Sequence, residues 1–214
     1  MHAVEIDGLT YTYPGAPQPT LKEISLQIEK GDFLAVVGNN GCGKSTLCKA
    51  LNGLIPQFFP GELTGRVLLD GEDLAGLPMY RIAEKVGSVF QNPRTQFFNV
   101  DADSEIAFGI ENEALPQPAL KARVARTAEE LGIRPLLDRS IFALSGGEKQ
   151  KIAFASVYAM EPEVYLLDEP SSNLDAAAIA GLREHLKLIK AQGKTVIIAE
   201  HRLYYLMDVA DRVL

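Results

Sequence analysis

A glycine-rich stretch at residues 38–46 constrains this chain more than any other feature. It fits the phosphate-binding pattern G-x-x-x-x-G-K-[ST] at every fixed position. The residues before it, 33–37, form a short apolar run typical of a buried strand, and Leu47, Leu51 and Leu54 recur at helical spacing. The glycines therefore stand where a strand turns into a helix, which is the setting that a phosphate-binding loop needs.

The chemistry of this loop follows from its residue types. Glycine has no Cβ, so the backbone can curl tightly, and the amide N–H groups at a helix N-terminus attract negative charge. We expect Lys44 to reach the β- and γ-phosphates of a nucleotide and the Ser45 hydroxyl to ligate Mg²⁺. The alternative is a glycine-rich turn that binds nothing, and the flanking strand and helix argue against it. The residues expected around the phosphates are Gly38, Asn39, Asn40, Gly41, Cys42, Gly43, Lys44, Ser45 and Thr46.

Composition is that of an ordinary globular chain. Of its 214 residues 47% are hydrophobic and 23% charged, so a sizeable core can form without disulfides. The formal net charge of −7 argues against a basic surface that wraps nucleic acid. The two cysteines, Cys42 and Cys48, make neither a disulfide framework nor a zinc site, and we expect both to be small buried residues.

Periodicity predicts an α/β fold with two kinds of strand. Residues 4–13 and 24–28 alternate between apolar and polar, which predicts antiparallel strands packed beside a main sheet. Residues 66–71 and 86–90 are predicted to be further strands. From about residue 92 to residue 160 helical periodicity dominates, with prolines and a glycine between its segments, which predicts an inserted helical subdomain.

Tyr13 stands just before the turn Pro14-Gly15, where its ring could stack on a nucleotide base. A tyrosine at the end of a strand can equally be half-buried packing. The residues alone leave these two interpretations open.

Two carboxylates follow the apolar run at residues 164–167. An aspartate at the end of a buried strand, Asp168, matches the second element that organises Mg²⁺ in phosphate-loop ATPases. Glu169 comes next and could accept a proton from a hydrolytic water. A surface acidic pair is the alternative, and the preceding apolar run disfavours it.

Gln91 and His201 also follow predicted strands. Gln91 precedes Asn92-Pro93, a position from which it could touch Mg²⁺ or an attacking water. His201 lies at the end of the buried run 195–199, at the level where ligand-facing elements of such sheets end. It could hydrogen-bond a γ-phosphate or the water. As isolated residues, neither would be assigned a role.

A second candidate phosphate contact begins at Ser145. Ser145 is a good helix N-cap, and Glu148 three residues later completes a capping-box pattern. Ser145, Gly146 and Gly147 thus open a helix with little side-chain bulk, which suits an anion. An ordinary helix cap is the alternative, and this heptapeptide alone does not decide between them.

Together these elements resemble the nucleotide-binding subunit of an ABC transporter. The order is phosphate loop (38–46), Q-loop (Gln91), signature (144–150), Asp168-Glu169, a D-loop (171–175) and switch histidine (His201), and it covers nearly the whole chain. The signature discriminates, because many NTPases share the phosphate loop. Glu148 departs from the family's commonest residue, glutamine, although glutamate also occurs in the family.

The resemblance implies a P-loop NTPase fold: a mostly parallel sheet, a small antiparallel β subdomain and an inserted α-helical subdomain. It implies a single domain over residues 1–214, with an ATP-binding core at 1–91 and 161–214 and a helical signature subdomain at 92–160. ATP and Mg²⁺ are the implied ligands, and hydrolysis to ADP and phosphate the implied reaction. In the family two such domains pair head to tail, as a homodimer or a heterodimer, and each ATP lies between the phosphate loop of one copy and the signature of the other.

The family also implies roles for individual residues. Tyr13 would stack on the base, and the loop residues would hold the phosphates. Ser45, Gln91 and Asp168 would hold the metal. Glu169 would be the general base, with His201 and Gln91 acting beside it. The residues that would serve the partner's ATP are Ser145, Gly146 and Gly147.

A finer resemblance links residues 51–56 and 91–98 to energy-coupling-factor ATPases, which drive uptake of vitamins or of cobalt and nickel ions. That family works with a transmembrane coupling subunit and a substrate-capture membrane protein, so the chain would lie peripherally on the cytoplasmic face of the membrane. Phe97 and Phe98 would sit at the contact with the transmembrane partner. Packing in the core is the alternative for both.

Two other classes compete with this interpretation. A soluble ABC ATPase that acts on nucleic acid or ribosomes typically carries coiled-coil insertions or tandem domains, and the acidic balance gives no reason to expect nucleic acid. A phosphate-loop kinase leaves the signature unexplained. Residues 211–214 resemble the opening of another strand, so we expect a truncated chain or the first half of a longer, duplicated ATPase.

Overall fold

The computed structural model describes residues 2–214 and contains a five-stranded parallel sheet. Its strand order is β6-β7-β8-β3-β9, so β6 and β9 form the two edges. Short apolar strands covered on both faces are typical of a parallel sheet. The strands of this sheet are β3 (Phe33–Val37), β6 (Val86–Val89), β7 (Val164–Asp168), β8 (Thr195–Glu200) and β9 (Arg212–Val213).

A four-stranded antiparallel sheet has the order β2-β1-β4-β5. It confirms the predicted pairing of the first two strands and adds the strand predicted at residues 66–71. Its strands are β1 (His2–Thr12), β2 (Leu21–Glu29), β4 (Glu62–Leu69) and β5 (Glu72–Asp73).

Seven helical segments connect and cover the sheets in the described residues, joined in places by short 3₁₀ turns. They are α1 (Lys44–Leu51), α2 (Leu54–Gln57), α3 (Met79–Lys85), α4 (Ala102–Glu111), α5 (Gln117–Glu130), α6 (Gly146–Ala159) and α7 (Ala176–Ala191). The prediction that Leu54 continues the helix after the phosphate loop is wrong. Gly53 adopts a left-handed backbone with φ 75°, which ends α1 and places Leu54 in the separate turn α2.

The parallel sheet separates two hydrophobic cores. Because side chains alternate along a strand, Phe33 and Ala35 face one core while Leu34 and Val36 face the other. The first core is covered by α4, α5, α6 and α7. The second is covered by α1 and the antiparallel sheet. The helix that follows the phosphate loop and the helix that begins at the signature therefore pack on opposite faces of one sheet.

The predicted fold class is confirmed: a parallel sheet, an antiparallel sheet and helices occur as expected. The expectation that both cysteines are buried is half wrong, since Cys48 is buried but Cys42 is exposed in the loop. Within residues 2–214, no helix combines the length and the apolar character needed to cross a bilayer.

Candidate active site

The phosphate loop joins β3 to α1 through backbone conformations that favour glycine. Gly43 has φ 103°, and a Cβ built on it would lie 2.9 Å from the carbonyl oxygen of Thr20. A Cβ on Gly38 would lie 2.5 Å from Sγ of Cys42. Thr20 and Cys42 therefore leave no room for a Cβ at these two glycines, and a larger residue at either position would displace its neighbour.

Lys44, the first residue of α1, is buried with its ammonium inside this curl. Its Nζ donates to the carbonyl oxygens of Gly38 (3.0 Å) and Asn39 (3.2 Å). It also lies 3.1 Å from Nε2 of His201 and 3.6 Å from Oε1 of Glu169. A buried cation at the N-terminus of a helix is well placed to receive an anion.

Ser45 and Asp168 form the adjacent pair. The Ser45 hydroxyl donates to Oδ1 of Asp168 at 3.0 Å. Burial raises the pKa of Asp168 above its usual value and the charge of Glu169 adds to this, while the Ser45 hydrogen bond opposes it. A hydroxyl and a carboxylate are hard oxygen ligands of the kind that Mg²⁺ accepts. Among the described residues no group of three or more His, Cys, Asp or Glu side chains could hold a metal, so Mg²⁺ here would take further oxygens from a nucleotide and water.

Glu169 is the centre of the site. Its Oε2 accepts from Nε2 of Gln91 at 2.9 Å, and its Oε1 lies 2.9 Å from Nε2 of His201. Gln91 follows β6, Glu169 follows β7 and His201 follows β8, which are three adjacent strands. The three side chains meet at the carboxyl edge of the sheet because parallel strands end at the same edge.

The backbone at Glu169 is unusual. This residue has φ 46°, in the left-handed region that non-glycine residues seldom adopt. Its amide donates to the carbonyl oxygen of Ala199 in β8 at 2.8 Å. The chain therefore turns sharply at the end of β7 and directs the carboxylate toward Lys44 and His201.

Glu200 supports His201, and sequence reasoning missed it. Glu200 is buried at the end of β8, where its Oε1 accepts the backbone N–H groups of His201 (2.8 Å) and Arg202 (3.2 Å). Its Oε2 accepts the hydroxyl of Tyr205 at 2.7 Å. Burial and the charge of Glu200 raise the pKa of Tyr205, which keeps its proton available for this bond. The available signal was a carboxylate directly after the apolar run at residues 196–199.

Tyr13 lies beside the loop, just past the end of β1. Its hydroxyl is 3.3 Å from Oγ1 of Thr46, and its ring packs edge-to-face on Tyr11 with centroids 4.8 Å apart. The ring is half-buried. Packing and base stacking use different parts of it, so this position is compatible with both.

Ser145, Gly146 and Gly147 begin α6, away from the loop. The Ser145 hydroxyl accepts from the Glu148 amide at 3.3 Å, and Glu148 Oε2 accepts from the Ser145 amide at 2.7 Å, which is the predicted capping box. These hydrogen bonds and Arg139 lower the pKa of Glu148 to about 2. Ser145 and Gly146 are exposed, and α6 covers the face of the sheet opposite α1. A single chain therefore keeps the signature and the phosphate loop apart.

Comparison with protein families identifies the chain. The model of the ABC transporter family matches residues 21–172, a span that runs from before the phosphate loop to beyond Glu169. The chain belongs to the ABC transporter ATP-binding family. The resemblance drawn from the motifs is thereby confirmed.

Named ABC transporter ATP-binding proteins are similar to the chain over nearly its whole length. A relative from Treponema denticola is 52% identical over 211 residues, which is 99% of this chain and 43% of the relative. One from Methanosarcina acetivorans is 42% identical over 99% of this chain and 34% of the relative. One from Pyrococcus horikoshii is 41% identical over 100% of this chain and 75% of the relative. The chain thus spans less than half the length of the first two relatives.

Two solved ABC structures share the fold. CbiO1 from Clostridium perfringens, described as part of the ABC transporter complex CbiONQ, aligns with a TM-score of 0.87 at 32% identity, covering 99% of this chain and 83% of its own. The ATP-binding cassette MJ0796, described as a dimer in a post-hydrolysis state bound to ADP and Pi, aligns with a TM-score of 0.82 at 23% identity, covering 94% and 89%. At that identity the second comparison shows the fold alone.

Proposed function

We propose that the chain binds ATP with Mg²⁺ and hydrolyses it to ADP and phosphate, as the motor subunit of a transporter. The observation that carries this proposal is the convergence on Glu169 of Lys44, Gln91 and His201 at the carboxyl edge of the sheet. A carboxylate that touches a phosphate-binding lysine, an amide and an imidazole has the surroundings that a general base for phosphoryl transfer to water requires.

The residues divide this work between charge and proton handling. Lys44 and the loop amides offset phosphate charge, and Ser45 with Asp168 and Gln91 would hold the metal. Mg²⁺, when bound, neutralises phosphate charge and orients the terminal phosphoryl group. Glu169 accepts the proton of the attacking water, and His201 contacts the terminal phosphate while hydrogen-bonding the same carboxylate.

The working unit is a head-to-tail dimer. Ser145 and Gly147 open α6 on the sheet face opposite α1, so a second copy can offer them to the ATP held by the first. ATP binding then closes the pair and hydrolysis reopens it, because the nucleotide is shared between the copies. Residues 1–91 and 161–214 form the ATP-binding core of each copy, and residues 92–160 form the helical signature subdomain.

An energy-coupling-factor transporter that imports a vitamin or a metal ion is the finer assignment. The motifs at residues 51–56 and 91–98 support it, as does the likeness to a chain described as part of a CbiONQ complex. Phe98 is 74% exposed and its ring stacks on that of Phe108, with centroids 4.9 Å apart. Phe97 packs instead against the main core. Phe98 is therefore the better candidate for contact with a transmembrane subunit at the cytoplasmic face of the membrane.

Replacing the proposed base tests this function. Glu169→Gln keeps the size of the side chain but cannot take a proton, so ATP turnover should fall by about 10²- to 10⁴-fold. ATP should still bind, and a closed dimer should accumulate in sedimentation velocity runs with MgATP.

Glu163→Gln is the matched control, because Glu163 stands just before β7 and its side chain is 67% exposed. Its turnover should equal that of the unsubstituted protein. Undiminished phosphate release by Glu169→Gln would contradict the assigned base.

A further inference from the structure

Strand β6 is an edge of the parallel sheet. A side chain hydrogen-bonds the backbone groups on its outer side. The carboxamide of Gln96 donates through Nε2 to the carbonyl oxygen of Ser88 at 3.2 Å, and its Oε1 accepts from the backbone N–H of Phe90 at 3.2 Å. A neighbouring parallel strand bonds to an edge in the same way, through a carbonyl and the N–H two residues later. One primary amide therefore takes the place of the N–H and C=O groups that one residue of a further strand would supply.

This contact fixes the residue that leads into the site. Phe90 immediately precedes Gln91, whose Nε2 donates to Glu169 Oε2 at 2.9 Å. Gln91 is exposed, so little packing restrains it. The hydrogen bond from the Phe90 amide to Gln96 is thus a main restraint on the direction in which the chain leaves β6.

The residues that follow Gln96 in the chain reach the surface of the protein. Two residues later, the Phe98 amide donates to Oε2 of Glu105 at 3.0 Å, and the Asn99 amide donates to the same oxygen at 2.8 Å. Glu105 is 2% exposed on α4. The segment from Gln91 to Asn99 is therefore tied at both ends and at Gln96 between them.

A groove beside Gln96 connects β6 to the end of the helix that follows the phosphate loop, α1. Nδ2 of Asn52, the residue after α1, donates to the Ser88 hydroxyl at 3.2 Å. Asn52, Ser88, Gln96 and Phe98 line the same apolar groove of 310 Å³. Ser88 consequently receives a hydrogen bond from the end of α1 and another from Gln96.

We infer that Gln96 is a positioning residue for Gln91. Its carboxamide holds β6 and the following loop in register, so that Gln91 meets Glu169. The inference rests on the proposed function, and it adds a positioning residue to the same site.

Gln96→Met tests this role, because methionine keeps the length of the side chain and removes both hydrogen bonds. The Phe90 amide should lose at least about tenfold in hydrogen-exchange protection, whereas the Leu167 amide in the central strand β7 should keep its protection. ATP turnover should fall about tenfold with the dissociation constant of ATP changed less than twofold, as expected for loss of a supporting contact. Gln117→Met, an exposed glutamine that begins α5, is the matched control and should change none of these quantities.

A double-mutant cycle separates positioning from general damage to the fold. If Gln96 acts through Gln91, then Gln96→Met should lower turnover less than twofold in a Gln91→Ala background. An equal tenfold loss in both backgrounds, or unchanged turnover in Gln96→Met alone, would overturn the inference.

The exchange measurement also stands without activity. Absent ATPase activity in the unsubstituted protein would contradict the proposed function. Unchanged Phe90 protection in Gln96→Met would instead contradict the proposed role of the hydrogen bond between the Phe90 amide and Gln96. The two failures are therefore distinguishable.

Discussion

The phosphate loop and the start of α6 both present a helix N-terminus, yet they treat its N–H groups differently. At α1 no side chain caps the helix, and no acidic residue lies in the first turn. At α6 Ser145 and Glu148 cap each other's backbone amides. The first N-terminus leaves its donors for an anion, whereas the second satisfies part of its own and leaves the Ser145 hydroxyl and the glycine backbone at the surface.

Their electrostatic surroundings differ in the same sense. Lys44 is buried among backbone carbonyls, His201 and Glu169, so the loop end holds its reactive groups together within one chain. Ser145 is exposed and its hydrogen bonds stay within the first turn of α6. In the proposed head-to-tail dimer, one copy supplies the catalytic edge with Lys44 and Glu169, and residues 145–147 at the start of α6, here called the lid, cover the ATP of the other copy.

Mixing two inactive variants should give the largest effect. Lys44→Ala removes the phosphate-binding cation and Ser145→Arg blocks the lid, so each alone should lose at least about 10²-fold in turnover. An equal mixture should recover up to about a quarter of normal turnover, because half of the dimers are mixed and each mixed dimer has one intact site. Phosphate release measured against the mixing ratio checks this. A mixture no more active than its components would contradict a site shared between two copies.

Removing only the Ser145 hydroxyl should have a smaller effect that is split between stability and turnover. Ser145→Ala should cost about 1 kcal/mol of unfolding free energy through the lost cap. Turnover should fall about tenfold, as for one lost hydrogen bond to a charged group.

Asp73→Ala is the control for that experiment. Asp73 caps the 3₁₀ turn at Leu74–Gly76 by accepting from the Ala75 amide at 2.9 Å, in the part of the chain that forms the antiparallel sheet. We expect a similar loss in urea unfolding but normal turnover. Equal turnover losses in the two variants would show that Ser145 acts only as a cap.

The smallest expected effect concerns the ionisation of Glu148 in the first turn of α6. The pKa of Glu148 is lowered from 4.5 to about 2 in the folded chain, so its contribution to stability is present above about pH 4.5 and is lost as pH falls toward 2. Glutamine can still close the capping box, so Glu148→Gln loses only the charge and the ion pair with Arg139. It should therefore be less stable than the unsubstituted protein by about 0.5 kcal/mol at neutral pH. That difference should shrink below pH 4.5 in denaturant titrations, and a difference independent of pH would refute the assignment.

Local patterns predicted the parts of the site that are local in sequence. The loop glycines, the capping box at Ser145 and the carboxylates after β7 all follow from spacing and from strand or helix ends. The strand order that brings Gln91, Glu169 and His201 together is a tertiary property, and only the family resemblance anticipated it.

What escaped prediction depends on long-range contacts. Gln96 looks like any loop glutamine until the edge of β6 lies beside it, and Glu200 looks like part of a polar tail until Tyr205 folds over it. The break at Gly53 was missed because Leu54 fits the helical spacing while the backbone does not follow it. Alternation could not separate Phe97, which is partly buried, from Phe98, which is exposed, because both lie outside any regular element.

The left-handed backbone at Glu169 sets thermal stability against activity at that position. Glycine would adopt that conformation without the cost of about 1–2 kcal/mol that a side chain incurs there. At position 169, stability therefore favours glycine, whereas the proposed activity requires a carboxylate. Selection for heat resistance alone would favour replacing Glu169, the carboxylate that we propose as the general base, and the resulting protein would be more stable but inactive.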